Sequence, residues 1–160
     1  MKRKIKIISL LVFITSVLVG TTLYLTQYNS PKNSMISCTA RLVTFRESER
    51  MDLMVDFQIQ TQSKTGVIAA IGTVRIDGSL QGRIYRKIAF SYEKEDSFYR
   101  FRSTNITIAS DEHISDELLK MSLPQFFITT GSIINYSVYR EGKRGYVFTV
   151  GKIPRFFCER

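Results

Sequence analysis

Tryptophan is absent from this chain of 160 residues; histidine occurs once, cysteine twice and proline three times. A single histidine and two cysteines far apart in sequence do not assemble the ligand set of a zinc or related centre, so no metal is expected. Three prolines leave no Pro-rich linker. There is no Gly-x-Ser-x-Gly elbow and no glycine-rich phosphate loop, and the stretch from Gly142 to Gly145 reads as a hairpin turn. His113 lies in a polar loop beside Ser110 and Asp111. Neighbours in sequence rarely meet in triad geometry, so it reads as a surface histidine. Asp111, Glu112, Asp116 and Glu117 form an acidic cluster that could hold a cation loosely but reads better as a solvated helix start. Two glycosylation sequons, at Asn105 and Asn135, fall inside predicted strands and carry no meaning in a bacterium. With no catalytic or cofactor-binding constellation, an enzyme is not expected.

The formal charge is +9. Lys2, Arg3, Lys4 and Lys6 hold four of the 23 basic residues, which leaves 19 against 14 acidic ones, or +5. These are scattered, which argues against nucleic acid as a partner. They fit a solvated surface, an anionic lipid surface or an acidic protein.

What the chain does have is one long apolar run, Ile5 to Leu25. As a helix rising about 1.5 Å per residue it spans roughly 30 Å, the thickness of a bilayer's hydrocarbon core. Its hydroxyls at Ser9, Thr15, Ser16, Thr21 and Thr22 can bond back to carbonyls of the same helix. The basic flank predicts a cytoplasmic N-terminus by the positive-inside rule. A cleaved signal peptide is the rival reading, but the run exceeds the usual core of about 7–15 residues and no Ala-x-Ala-like site follows. The expected layout is a cytoplasmic tail (1–4), a transmembrane signal-anchor helix (5–25), a polar stalk (26–34) and a periplasmic β-domain (35–160). The expected location is a bacterial inner membrane, crossed once. Tyr24 and Tyr28 suit an interfacial belt, and Pro31 stops the helix.

From Met35 the periodicity changes to two. Leu53, Val55, Phe57 and Ile59 alternate with Met54, Asp56, Gln58 and Gln60, the pattern of a half-buried strand. Strands are predicted over 36–45, 53–60, 65–76, 80–92, 98–108, 134–138 and 146–150, with Asp77-Gly78 as a strong turn signal. Ile114, Leu118, Leu119 and Met121 recur at helical spacing, which predicts a short helix over 115–121 ending before Pro124. Phe126, Phe127 and Ile128 then return to the core. The fold class is therefore mainly β: an antiparallel meander or half-barrel of about seven strands with one short helix. Fourteen aromatics lie in these strands or at their ends; most are plain core, but a barrel lined this way could hold a lipid-like ligand. Cys38 and Cys158 stand at the two ends of the exported part. In an oxidising compartment they read as one disulfide tying the first strand to the last, with two buried thiols as the other reading.

Three stretches carry a resemblance: the Ser37-Cys38-Thr39-Ala40 opening strand, Arg86 to Tyr92 in mid-domain, and Gly145 to Gly151 followed by Pro154-x-Phe-Phe-Cys158. With the basic start and single membrane helix, they resemble the FidL-like membrane proteins of enteric bacteria. Those proteins are similar in size and layout to ToxS and VtrC, small companions of ToxR-type transcription factors. The resemblance implies a lipocalin-like periplasmic domain that pairs with a single-span ToxR-like regulator and stabilises or modulates it. It also implies, as an alternative, a sensor binding an amphipathic molecule such as a bile salt. A structural envelope protein is the reading from a different class.

Overall fold

Alternation of buried and exposed residues, clearest over 51–60 and 82–92, gives the chain after Met35 one inward face, and its extended segments close into a barrel. A computed structural model describes residues 15–22 and 35–160. The chain divides into two units, Met1–Ser34 and Met35–Arg160. In the first unit, residues 15–22 are helical and exposed. Thr21 donates from Oγ1 to the Val17 carbonyl (2.9 Å) and Thr22 to the Leu18 carbonyl (3.0 Å), as hydroxyls on a helix do. The tail, the stalk and most of the predicted span lie outside the described residues. Among the described residues, no helix is long and apolar enough to cross a membrane.

The second unit holds eight strands: β1 (Met35–Arg46), β2 (Glu49–Gln60), β3 (Thr65–Ile76), β4 (Ser79–Glu95), β5 (Phe98–Ile108), β6 (Ile133–Glu141), β7 (Gly145–Val150) and β8 (Ile153–Glu159). Each pairs antiparallel with the next, and β8 meets β1, so the sheet closes. The half-barrel of seven strands is thus corrected to a closed barrel of eight. The missed strand is β8. It is short, and Pro154 at its second position lacks the N–H a ladder needs. The β7–β8 pairing accommodates this with a register shift between Phe148 and Thr149, next to the Thr149–Pro154 pair. At the β3–β4 turn, Asp77 and Gly78 both take positive φ, 49° and 78°, as a type I′ hairpin requires.

Inward positions are those the alternation marks. Leu53, Val55, Phe57 and Ile59 of β2 are buried, as are Ile84, Ile88, Phe90 and Tyr92 of β4. Gly66 sits opposite Phe90, and a Cβ there would come within 2.3 Å of the Phe90 ring, so the missing side chain makes room for the aromatic. Two aromatic groups stand in the interior. Phe90, Phe101 and Phe126 meet on one side, with Phe90 edge-on to Phe101 at 5.2 Å. Phe57, Tyr136, Phe148 and Phe156 meet on the other, with Phe148 stacked on Phe156 at 4.6 Å. Such contacts add about 0.5–1.5 kcal/mol each beyond their burial.

The connections β1–β2, β3–β4, β5–β6 and β7–β8 all fall at one end of the barrel. The β5–β6 connection is long and roofs that end. It contains α1 (Asp116–Ser122) and a 3₁₀ turn (Gln125–Phe127). Ser115 caps α1, its Oγ accepting from Leu118 N at 3.3 Å, while Asp116 and Glu117 occupy the first turn where the helix dipole favours acids. Leu118, Leu119, Leu123, Phe126 and Phe127 are buried beneath.

Candidate ligand site at the barrel seam

The seam between the first and last strands is the weakest join in the sheet. β1 and β2 are in register over twelve residue pairs, from Met35–Gln60 to Arg46–Glu49. β1 and β8 share one registered pair, Thr39 opposite Glu159. Beside it the Cys38–Cys158 disulfide crosses the seam, with Cα atoms 5.3 Å apart and both cysteines buried. Beyond this staple, toward the roofed end, the two strands run on without registered pairs.

A cavity of about 670 Å³ occupies that gap and the barrel interior behind it. This is within the range of small-molecule pockets, roughly 300–1,000 Å³. Its inner wall is Leu53, Val55 and Phe57 of β2, Tyr136 of β6 and Phe156 of β8, and Leu123 and Phe127 of the roof close it above. The two lips are residues 41–44 of β1 and 155–157 of β8. Exposed apolar side chains gather at this opening. Val43, Val150 and Phe157 line it, each at least 40 % exposed. Burial pushes the Tyr136 hydroxyl above its ordinary pKa of 10, and the charge of Arg155 pulls it partly back. Arg41 lies 3.7 Å from Asp52, but that carboxylate is already held by Arg50, whose Nε donates at 2.8 Å. Among the described residues, Arg155 makes no ion pair or hydrogen bond.

On the opposite side the roof is locked down. Arg86 of β4 is buried, and its Nε donates to both carboxylate oxygens of Glu112 at 2.9 Å. Its Nη1 reaches the Phe127 carbonyl at 3.2 Å, and Glu112 also accepts from Tyr85 N at 2.9 Å. The solvated acidic cluster is therefore corrected at Glu112, whose side chain is 5 % exposed; Asp111, Asp116 and Glu117 remain at the surface. The physical reason is Arg86: a cation on an inward position demands a buried counter-charge. The signal was present in the strand pattern. Arg86 shares the parity of Ile84, Ile88 and Phe90, so alternation places it inside. Arg41 and Arg155, by contrast, are not matched from sequence: the cysteine pair suggests that β1 meets β8, but not that the ladder stops beside it and leaves these residues on two lips.

His113 is exposed and pairs through its backbone with Arg83; its Nδ1 lies 3.2 Å from the Glu112 carbonyl. Among the described residues, no three of His, Cys, Asp and Glu are grouped to hold a metal ion.

Comparison with known proteins adds two findings. The profile of the YqeJ C-terminal domain matches residues 35–158, nearly the whole barrel. The "Uncharacterized protein YqeJ" of Escherichia coli (strain K12) is 25% identical over 154 residues, covering 94% of this chain and 96% of that protein. Neither finding speaks for the FidL-like group or for a ToxS/VtrC-type identity.

Proposed function

The chain belongs to the YqeJ C-terminal domain family, and from that premise we propose that its barrel is a ligand-binding domain that takes an apolar or amphipathic small molecule at the seam. One observation carries this reading: an open cavity of about 670 Å³, walled largely by aliphatic and aromatic side chains. Interiors normally close to crystal-like density, and apolar surface left facing a gap forfeits burial worth about 25 cal/mol per Å². A ligand would recover that loss. Isothermal titration of residues 35–160, which carry the whole sheet and its disulfide, with fatty acids and bile salts tests it. Saturable heat is expected, and its loss when Val55→Trp fills the cavity. Absence of heat with every amphiphile rejects the reading.

We further propose that the N-terminal run is a signal-anchor that holds the barrel on the far side of a bacterial inner membrane. The run's length and its basic flank support this. Alkaline phosphatase fused behind Arg160 should be active, and the mature chain should keep its first residues. A dead reporter or a trimmed chain rejects it.

A second reading, a companion that stabilises a single-span ToxR-like regulator, has its own support. Met54, Ile71 and Tyr85 stand side by side on the outer face of β2, β3 and β4, each more than 40 % exposed. A partner covering this row would be stabilised, and would stabilise the barrel, by mass action. Crosslinking in membranes should capture a single-span regulator with the native chain and lose it with Ile71→Lys.

A further inference from the structure

The residues around the cavity are unevenly charged. Among the described residues that line it, the basic or acidic ones are Arg41 and Arg155 alone, and both are basic. Arg41 is on the β1 lip, and Arg155 is on the β8 lip. Arg155 has no ion-pair or hydrogen-bond partner among the described residues, and Arg41 has only a loose one, an aspartate 3.7 Å away that Arg50 already engages. Among the described residues no acidic side chain lines the cavity; Asp52, the carboxylate beside Arg41, lies outside it.

We infer that the site selects a single-chain amphiphile with one anionic head, the head held at the seam by Arg41 and Arg155 and the chain lying inside against Phe57, Tyr136 and Phe156. The inference rests on the ligand-site reading above and adds the chemical class and the entry route. Guanidinium groups bind carboxylate with short, charge-assisted hydrogen bonds, and their planar fork suits such a head. A cationic ligand would meet two like charges at the lips. A neutral apolar molecule would fill the interior but leave the rim unused. Entry is sideways, between β1 and β8, because the near end of the barrel is roofed by Leu123 and Phe127 and the strands there lack ladder bonds to break. A slim chain can pass such a slot with its head left outside at the lips. The Cys38–Cys158 staple and the Thr39–Glu159 pair beside it fix where the slot ends.

The test uses the full chain in nanodiscs of zwitterionic lipid, photolabelled with diazirine-bearing palmitate or with diazirine-bearing hexadecanol, and the labelled peptides are mapped by mass spectrometry. Palmitate should label peptides containing Phe57, Tyr136 or Phe156, with decanoate competing. The double variant Arg41→Gln/Arg155→Gln should weaken palmitate labelling about tenfold or more, the size expected for losing charge-assisted hydrogen bonds. Both arginines are exposed, and thermal melts of the variant should match the native chain. If hexadecanol labels the same peptides equally and the double variant changes nothing, the head-group inference falls while the cavity reading stands. If neither probe labels them, the cavity reading itself falls. If deoxycholate competes as well as decanoate, anion selection is upheld and the single-chain assignment is overturned.

Discussion

Arg86 and Glu112 form a forked contact, Nε lying 2.9 Å from each carboxylate oxygen and Nη2 donating to Oε1 at 2.5 Å, with both side chains 5 % exposed. They join β4 to the roof across 26 positions of sequence. Removing one partner of a buried pair leaves an uncompensated charge, at a cost of about 3–5 kcal/mol. Glu112→Ala should therefore destabilise the barrel by about that amount in urea unfolding. Arg86→Met/Glu112→Leu should recover most of the loss. A double variant as unstable as the single would show that the pair itself, and not the orphaned charge, matters.

The disulfide closes the longest loop in the barrel, 120 positions. In the chain-entropy model this is worth about 4–5 kcal/mol. Replacing both cysteines by alanine should lower stability accordingly. Amide exchange should rise first in β1 and β8, where Thr39–Glu159 is the only registered pair, and least in β2 to β4. Uniform exchange across the sheet would contradict a locally weak seam.

Phe148 is fully buried and touches Phe57, Tyr136 and Phe156. Phe148→Ala should cost about 3–5 kcal/mol. Phe45, 71 % exposed beneath Arg50, should tolerate alanine within about 0.5 kcal/mol. Paired melts of the two variants check the contrast.

Two tyrosines should titrate late. Burial raises the pKa of Tyr92 and Tyr136 above 10 in the folded chain. For a group whose folded pKa is raised, the unfolded state loses its proton first, so stability holds below about pH 10 and falls as pH rises through the folded value. Spectrophotometric titration should show a late phenolate fraction that shrinks in Tyr136→Phe. Melts of that variant should depend less on pH above 10.

Much of the architecture is readable from residue order. The alternation in β2 and β4 marks the inner face residue by residue, because successive side chains in a strand point to opposite sides. Asp77-Gly78 declares its hairpin through backbone sterics, and Asp116 and Glu117 suit the first turn of a helix, while the cap from Ser115 to Leu118 N emerges only in the structure. The reading fails where a local rule meets a distant partner. Pro154 argues against a strand by local chemistry, yet β8 forms because β7 supplies a shifted register. Glu112 looks solvated among acidic neighbours, yet Arg86 draws it under the roof.

The sequence alone determined the strand faces, the hairpins, the short roof helix and the apolar N-terminal run. Each follows from interactions a few residues apart, or from a repeat of two or 3.6. The sequence also offered the Cys38–Cys158 bridge between first and last strands, which the structure holds; only the tertiary structure decided that the sheet closes, that one registered pair lies beside that bridge, and that two arginines and an apolar cavity flank the gap. Closure depends on twist and stagger summed over eight strands, a property of the whole sheet that no short stretch of residues contains.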